Sequence, residues 1–261
     1  MPNELVNYWK RWNYTVGMLN VHPDDVDWMT RNWKGPLESE QFKNLREYTR
    51  SPRFGANDSD LHLSLLPVPF VGNLENAKVI IFLANPGFTN ADYYLAEQHS
   101  FSDLFLRNLR QENDLEFPFV YLDPEFAWSA AFEWWESRLR PIITELTLRD
   151  RSTYLDSLRK VAQNIAVVEM FPYHSVNGNT LKGISPPSFM PSVAKAREFF
   201  RLHAGNKNQL TLLMRKHGVW RGDSKLELAK HYLEGPRVQG LTFNPKYDIG
   251  KAIMDWLAVN E

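Results

Sequence analysis

The sequence predicts an α/β protein, a three-layer α/β/α sandwich built on a four-stranded, mostly parallel sheet. Three short and nearly continuous apolar runs, at 78–84, 165–170 and 209–214, are typical of strands that are covered on both faces. Helical patterns separate these runs along the chain, and a fourth, shorter strand is predicted at 238–243. Proline-containing turns end the first two runs abruptly.

Two aromatic-rich helices are predicted at the N-terminus, over 3–20 and 24–49. The second begins with three acidic residues, Asp24, Asp25 and Asp27. Carboxylates suit the positive end of a helix, so a helix start is favoured over a metal site that His22 would complete.

An exposed loop is predicted over 50–65, and it is followed by an extended strap over 65–73. Pro67 and Pro69 lack the N–H group that a central strand needs, so the strap is expected to lie over the core. The remaining helices are predicted at 100–112, 127–147, 151–163, 191–203, 223–233 and 246–258. No flexible linker or repeat interrupts them, which predicts one domain over 1–261, with 1–65 as a helical extension and 66–261 as the α/β core.

Composition excludes several classes of function. The chain of 261 residues has a net charge of −1, which gives no overall basic excess for a strong, sequence-independent hold on nucleic acid or on anionic membrane. Cysteine is absent, so disulfides, thiolate zinc sites and cysteine-ligated iron–sulfur clusters are excluded and a reducing cytoplasm is predicted. No signal peptide, membrane span, metal site or cofactor motif is recognised.

Two loops carry the residues best suited to chemistry. Asn85, Pro86 and Gly87 follow the first buried strand directly. The asparagine amide can bind a ligand edge or position a water, while the proline fixes the backbone and the glycine permits close approach. An ordinary turn is the alternative interpretation of this tripeptide.

The second loop, 171–175, follows the next buried strand. Pro172 shapes it, Tyr173 offers a stacking face and a hydroxyl, His174 is an acid or base, and Ser175 can donate a hydrogen bond. The alternative is that His174 only satisfies a backbone carbonyl. Parallel strands would bring the two loops together at one edge of the sheet, where ligands bind in open α/β folds.

Basic residues follow the third strand and the second loop. They are Arg215, Lys216 and Arg221, beside Trp220, and Lys182. Positive charge mixed with an aromatic ring is typical of a groove for single-stranded nucleic acid, and a solvated strand exit is the alternative. The tryptophans near 128–135 are expected in the core or at a partner surface.

The order of these features resembles the uracil-DNA glycosylase superfamily. Gly72-Asn73, the Ala77-Lys78 strand and Asn85-Pro86-Gly87 are similar to the opening of that family, and 171–175 stands at its second motif. The likeness covers about 65–250 and implies the fold predicted above.

The resemblance implies a role for each matching residue. Asn85 would position the water that attacks the sugar carbon, and Phe88 or Phe101 would stack on a flipped-out base. Backbone amides around Gly87 would face the base or a phosphate, and His174 would lie near the leaving base.

Three functions therefore stand as expectations. The first is a glycosylase-like protein that acts on a base in DNA or in a nucleotide. The second is a non-catalytic binding module for such ligands, suggested by Phe171 where the family has a hydrogen-bonding residue. The third is a small-molecule hydrolase with His174 as general base. Oligomeric state is not predicted.

Overall fold

A computed structural model describes residues 4–15, 18–32, 42–55, 61–175, 190–215, 217–221, 232–234 and 243–258. Helices surround an open, mostly parallel sheet, so the predicted α/β class is confirmed and the architecture is consistent with an α/β/α sandwich. The strands are β1 (Phe70–Val71), β2 (Val79–Leu83), β3 (Ile165–Glu169), β4 (Leu210–Leu213) and β5 (Tyr232–Glu234), in the order β1-β3-β2-β4-β5.

Four neighbouring strands run parallel. β2 pairs with β4 in the register Val79 to Leu210, and β4 pairs with β5. The N–H of Lys78 donates to Asn164 O just before β2 and β3 begin, and the N–H of Phe171 donates to Ala84 O just after they end. The strands β2 and β3 therefore also run parallel. The predicted strands at 78–84, 165–170 and 209–214 are confirmed by β2, β3 and β4. Apart from the half-buried Leu83, all of their residues are buried, as expected for strands that are covered on both faces.

The strap contains β1, which lies at one edge of the sheet and runs antiparallel to β3. The N–H of Glu169 donates to Pro69 O, and the N–H of Val68 donates to Pro172 O. The partner number thus rises along one segment as it falls along the other, which is the pattern of antiparallel pairing. An edge position agrees with the prediction from the two prolines, since an edge strand needs fewer donors.

The fourth parallel strand is not where the sequence placed it. Residues 232–234 form β5, although they include the end of a predicted helix at 223–233. A short apolar stretch such as this one suits either element, and pairing with β4 decides between them. The predicted strand at 238–242 lies outside the described residues, and Phe243 follows without regular structure.

The predicted N-terminal helices are too long. The helices here are α1 (Glu4–Trp9), α2 (Pro23–Asn32) and α3 (Leu45–Thr49). The side chain of Asn20 bonds backbone groups of Thr15, Met18 and Ser64, which stabilises a non-helical connection before α2.

The loop predicted to be exposed over 50–65 is buried from 61 onward. Leu61, His62, Leu63 and Leu65 are each at most 3% exposed. A bridge between Leu61 and Ser175 satisfies backbone groups there, so this stretch can enter the core.

The remaining helices are α4 (Ala91–Ala96), α5 (His99–Leu109), α6 (Ala130–Asp150), α7 (Tyr154–Asn164), α8 (Pro191–Ala204), α9 (His217–Arg221) and α10 (Asp248–Ala258), with 3₁₀ turns at Val120–Leu122 and Pro124–Phe126. Five of them, α5, α6, α7, α8 and α10, agree with the predicted pattern within a few residues, whereas α4 and α9 were not predicted and the predicted helix at 223–233 lies outside the described residues up to 231. Ser129 caps α6, and Thr153 with Asp156 forms a capping box on α7.

The chain divides into two compact units. The first contains Met1–Phe70, Ala84–Arg110 and Glu169–Phe199, and the second contains Val71–Leu83, Gln111–Val168 and Phe200–Glu261. The N-terminal segment thus belongs to the same unit as both predicted loops. Within the described ranges, no helix is long and apolar enough to cross a membrane, and no cluster of three or more metal-ligating side chains occurs.

Candidate functional site

The two predicted loops meet in the first unit. The loop at 85–88 continues β2, and the loop at 171–175 continues β3. The N–H of Phe171 donates to Ala84 O over 3.0 Å, which joins the loops where they leave the sheet. Parallel strands place their carboxyl ends side by side, and this explains the juxtaposition.

Asn85 is the half-buried polar side chain at the centre of this junction. Its Nδ2 donates to Ser175 Oγ over 3.2 Å, and among the described residues this is the only hydrogen bond of the side chain. The bond orients the amide and leaves Oδ1 able to accept from a ligand or a water. Gly87 has a φ of +71°, and no atom lies within 4 Å of the place that a Cβ would take, so the turn is glycine-like and open there.

His174 clamps the loop backbone. Its Nδ1 lies 2.8 Å from Gly87 O, and its Nε2 lies 3.0 Å from Leu66 O. A carbonyl oxygen only accepts, so each bond needs a ring nitrogen that carries hydrogen; a neutral ring makes one of them and a protonated ring makes both. Asp92 Oδ2 lies 3.9 Å from Nδ1 and would form an ion pair with a protonated ring.

These contacts change the predicted role of His174. The residue is 8% exposed and both ring nitrogens face backbone carbonyls, so neither one faces an open substrate site. The hydrolase hypothesis, which needs His174 as a general base, is therefore abandoned. The alternative from the sequence, a histidine that satisfies backbone carbonyls, describes the geometry. Burial raises the pKa of Asp92, and the neighbouring His174 opposes this rise.

Tyr173 belongs to a buried polar network and offers no stacking face. Its hydroxyl donates to Asp25 Oδ2 over 2.6 Å and accepts from the N–H of His22 over 3.1 Å. Asp25 Oδ1 accepts from the N–H of Ser192 over 2.9 Å. Burial raises the pKa of Asp25, which is 0% exposed, and the bonds from Tyr173 and Ser192 oppose this rise. The network fixes the second loop against α2 and α8.

Aromatic rings already occupy the predicted base-stacking position. Phe88 stacks face to face on His62, with ring centroids 3.6 Å apart and planes at 9°. Tyr48 and Tyr93 meet Phe88 edge-on at 5.5 and 5.9 Å. A base would have to use the remaining part of the Phe88 ring or displace His62. Phe101 is 3% exposed and packs on Phe105 within α5, so its ring is part of the core.

His62 is a residue of the site that sequence reasoning missed. Its backbone N–H donates to His174 O, and its Nδ1 lies 3.0 Å from the Tyr93 hydroxyl. Burial lowers the pKa of His62 to about 3, with Arg53 and His174 adding to the effect, so the ring is neutral at pH 7. The only signal in the sequence is its place between two leucines.

Glu169 is a second missed residue, at the carboxyl end of β3. The side chain is 5% exposed, and its buried Oε2 has no hydrogen-bond partner among the described residues. Burial raises the pKa of this carboxyl from 4.5 to about 8, so it is mainly protonated at pH 7. Its sequence signal is one acid in an otherwise apolar run.

The other predicted residues fall into three groups. Pro172 and Phe171 are buried in the second loop. Arg215 and Arg221 are half-buried in the second unit. Lys182 and Lys216 lie outside the described residues.

The Tyr173 hydroxyl is expected to stabilise the folded state by about 2–3 kcal/mol. Tyr173→Phe keeps the ring but leaves a buried Asp25 oxygen and the N–H of His22 without their partner. Denaturant unfolding of this variant and of Tyr247→Phe, whose side chain is 71% exposed, measures the difference. Equal stability of the two variants would contradict the network's role.

Comparison of the chain with protein-family models, with curated proteins and with solved structures gives no match.

Proposed function

We propose that the protein is a glycosylase-like hydrolase that releases a base from DNA or from a nucleotide. Asn85 is the observation that carries this proposal. Its amide lies at the carboxyl end of a central strand, is half-buried, and is oriented by Ser175 with Oδ1 left to accept. A water that donates to Oδ1 would be held beside the open turn at Gly87.

The proposed reaction is a hydrolysis. The water oxygen forms a bond to the sugar carbon while the N-glycosidic bond breaks. The electron pair of the broken bond leaves with the base nitrogen. An amide cannot accept the proton of the water, so Asn85 positions the nucleophile and the proton passes to solvent or to the departing base. The base must be extruded from a duplex before this bond becomes reachable.

A second candidate is a non-catalytic module that binds a nucleobase ligand at the same loops. His174 favours it, because both ring nitrogens face backbone carbonyls, and so does Phe171, which is 2% exposed and cannot hydrogen-bond a leaving base through its side chain. The two candidates share Asn85 and differ in turnover. For both we propose the cytoplasm as the compartment, on the ground of the cysteine-free sequence.

Asn85→Ala is expected to lower base release by about 100-fold or more, since the water loses its positioning group. The assay uses labelled single- and double-stranded DNA that carries uracil, hypoxanthine or a G·U or G·T mismatch. Asn90→Ala is the matched control, because Asn90 lies five positions further on, is exposed, and makes no capping bond through its side chain.

Asn85→Asp adds a second test of the same step. A carboxylate at this position can take the proton of the water, so this variant should release base at least as fast as the wild type. Full activity of Asn85→Ala would remove Asn85 from the mechanism. Ligand binding in a calorimeter without base release from any substrate would establish the second candidate instead.

A further inference from the structure

The ring of His174 ties together three segments of the first unit. Its backbone belongs to the second loop, its Nδ1 lies 2.8 Å from Gly87 O in the first loop, and its Nε2 lies 3.0 Å from Leu66 O in the strap. Among the described residues, the contact with Gly87 is the one hydrogen bond that the backbone of 85–88 makes. The ring therefore anchors the turn that carries Asn85 to the strap.

Both contacts together require a protonated ring. A carbonyl oxygen only accepts, so Nδ1 and Nε2 must each carry hydrogen to bond Gly87 O and Leu66 O at the same time. A neutral imidazole has one such hydrogen and would turn the lone pair of its other nitrogen towards the second oxygen. The residue is 8% exposed, so water has little room to replace the missing bond.

Asp92 of α4 supplies the counter-charge that such a ring needs. Its Oδ2 lies 3.9 Å from His174 Nδ1 and accepts from the N–H of Thr89 over 2.6 Å, which holds the carboxyl in place. Both side chains of the pair are at most 16% exposed, so salt screens them weakly. Burial raises the pKa of Asp92 and the charge of His174 opposes that rise, so the carboxylate and the protonated ring stabilise each other.

His62 also faces His174, from the segment before the strap. Its backbone N–H donates to His174 O over 3.0 Å. Burial, the charge of Arg53 and the charge of His174, in that order, lower the pKa of His62 to about 3. The ring of His62 therefore stays neutral while His174 gains or loses a proton, and it does not compensate for the change in charge.

We propose that protonated His174 is a positioning residue of the candidate site, which holds Gly87 and Leu66 together, with Asp92 as counter-ion, so that the turn presents Asn85 to a ligand. Loss of the proton leaves a hydrogen for only one of the two carbonyls, so the turn is no longer anchored to the strap. The effect on activity rests on the proposed function at Asn85, whereas the protonated ring and the anchored turn do not.

Nuclear magnetic resonance of the full chain, labelled with nitrogen-15, tests the protonation of the ring. Two-bond proton–nitrogen correlations distinguish a protonated imidazole from either neutral tautomer, and their loss in His174→Gln identifies the signals. At the acidic end of the pH range in which the protein is folded, both ring nitrogens should carry hydrogen. The side-chain amide signals of Asn85 should change with the same midpoint as the ring, because the turn loses its anchor there.

Three substitutions separate the ring from its counter-charge and from general effects. His174→Gln has no titrating group, so the change in the Asn85 signals should disappear. Asp92→Asn keeps an acceptor for the N–H of Thr89 but removes the negative charge, so the ring and the Asn85 signals should titrate together at lower pH than in the wild type. His99→Gln, at an exposed position of α5, should leave both titrations unchanged. Thermal melting checks folding, and Asp92→Asn carries the test if His174→Gln unfolds.

Base release adds a readout that depends on the proposed function. On single-stranded DNA that carries uracil, kcat of the wild type should fall by about tenfold or more as pH rises through the deprotonation of His174, since Asn85 is then less well positioned. His174→Gln should be about tenfold slower at acidic pH and should lose this part of the pH dependence. His99→Gln should keep the wild-type profile.

The two readouts fail independently. If no base is released from any substrate, but the ring and the Asn85 signals titrate together, the role of His174 is supported and the glycosylase function is not. The positioning role is overturned if His174 is neutral throughout the pH range in which the protein is folded, or if the Asn85 signals titrate unchanged in His174→Gln. An unchanged midpoint in Asp92→Asn would remove Asp92 as the counter-ion.

Discussion

Glu169 is expected to lower the stability of the folded protein as pH rises from about 4.5 to about 8, and the lowered pKa of buried His62 opposes this effect below about pH 6.5. Burial raises the pKa of this carboxyl from 4.5 to about 8, so over this interval the folded state binds a proton that the unfolded state has released. The contribution of Glu169 to the free energy of unfolding therefore decreases with pH, by at most about 1.4 kcal/mol per pH unit and about 5 kcal/mol over the interval.

Glu169→Gln should remove this contribution, because the amide stays neutral and nearly keeps the shape of the protonated acid, so the difference between wild type and variant should grow as pH falls from about 8 to about 4.5. Unfolding by urea across the pH range, for the wild type and this variant, measures the effect. Burial also raises the pKa of Asp25 and of Asp92, and both carboxyls change the free energy of unfolding in the same direction as Glu169. Some dependence of stability on pH should therefore remain in the variant. Glu75→Gln, an exposed substitution, is the control. An unchanged slope in Glu169→Gln would show that Glu169 is already ionised in the folded protein.

Gly72→Ala should destabilise the protein by about 3 kcal/mol or more. A Cβ at this position would lie 2.7 Å from Ile165 O and 2.8 Å from Ala166 Cα, which are backbone atoms of β3 that cannot move aside alone. The φ of Gly72 is +102°, a conformation that is strained for alanine. The substitution thus combines a steric clash with backbone strain.

Two other glycines separate these causes. Gly55 has a φ of +74° with open space around its Cβ position, so Gly55→Ala tests strain alone and should cost about 1 kcal/mol. Gly218 has open space and no positive φ, so Gly218→Ala should be neutral or slightly stabilising. Thermal and urea unfolding of the three variants compares them. A destabilisation by Gly72→Ala no larger than that by Gly55→Ala would mean that β1 and β3 separate easily.

The contacts of Gly72 also bear on the resemblance described above. Gly72 O accepts from the side chain of Gln111, and Asn73 Oδ1 accepts from the N–H groups of Glu75 and Asn76. Close approach and turn formation thus explain the Gly-Asn pair by structure alone. The function that the resemblance implies therefore depends on the loop that begins with Asn85.

The sequence by itself determined the three central strands of the sheet and the edge at which the candidate site lies. Apolar runs long enough for strands and separated by helices specify parallel pairing, because buried strands must be covered on both faces. The junction of the 85–88 and 171–175 loops follows from that pairing, and the bond between Asn85 and Ser175 is one of its consequences.

Tertiary structure decided what the side chains in these loops do. His174 bonds Leu66, which lies 108 positions away, and Tyr173 bonds Asp25 over a separation of 148 positions. No local pattern encodes such partners, because they depend on how buried polar groups are satisfied after the chain has packed. The same cause explains β5, which pairing selects, and the stack of His62 on Phe88. The sequence therefore indicated where the candidate site lies, whereas long-range hydrogen bonding left Asn85 as the loop side chain with an acceptor to offer in the proposed function.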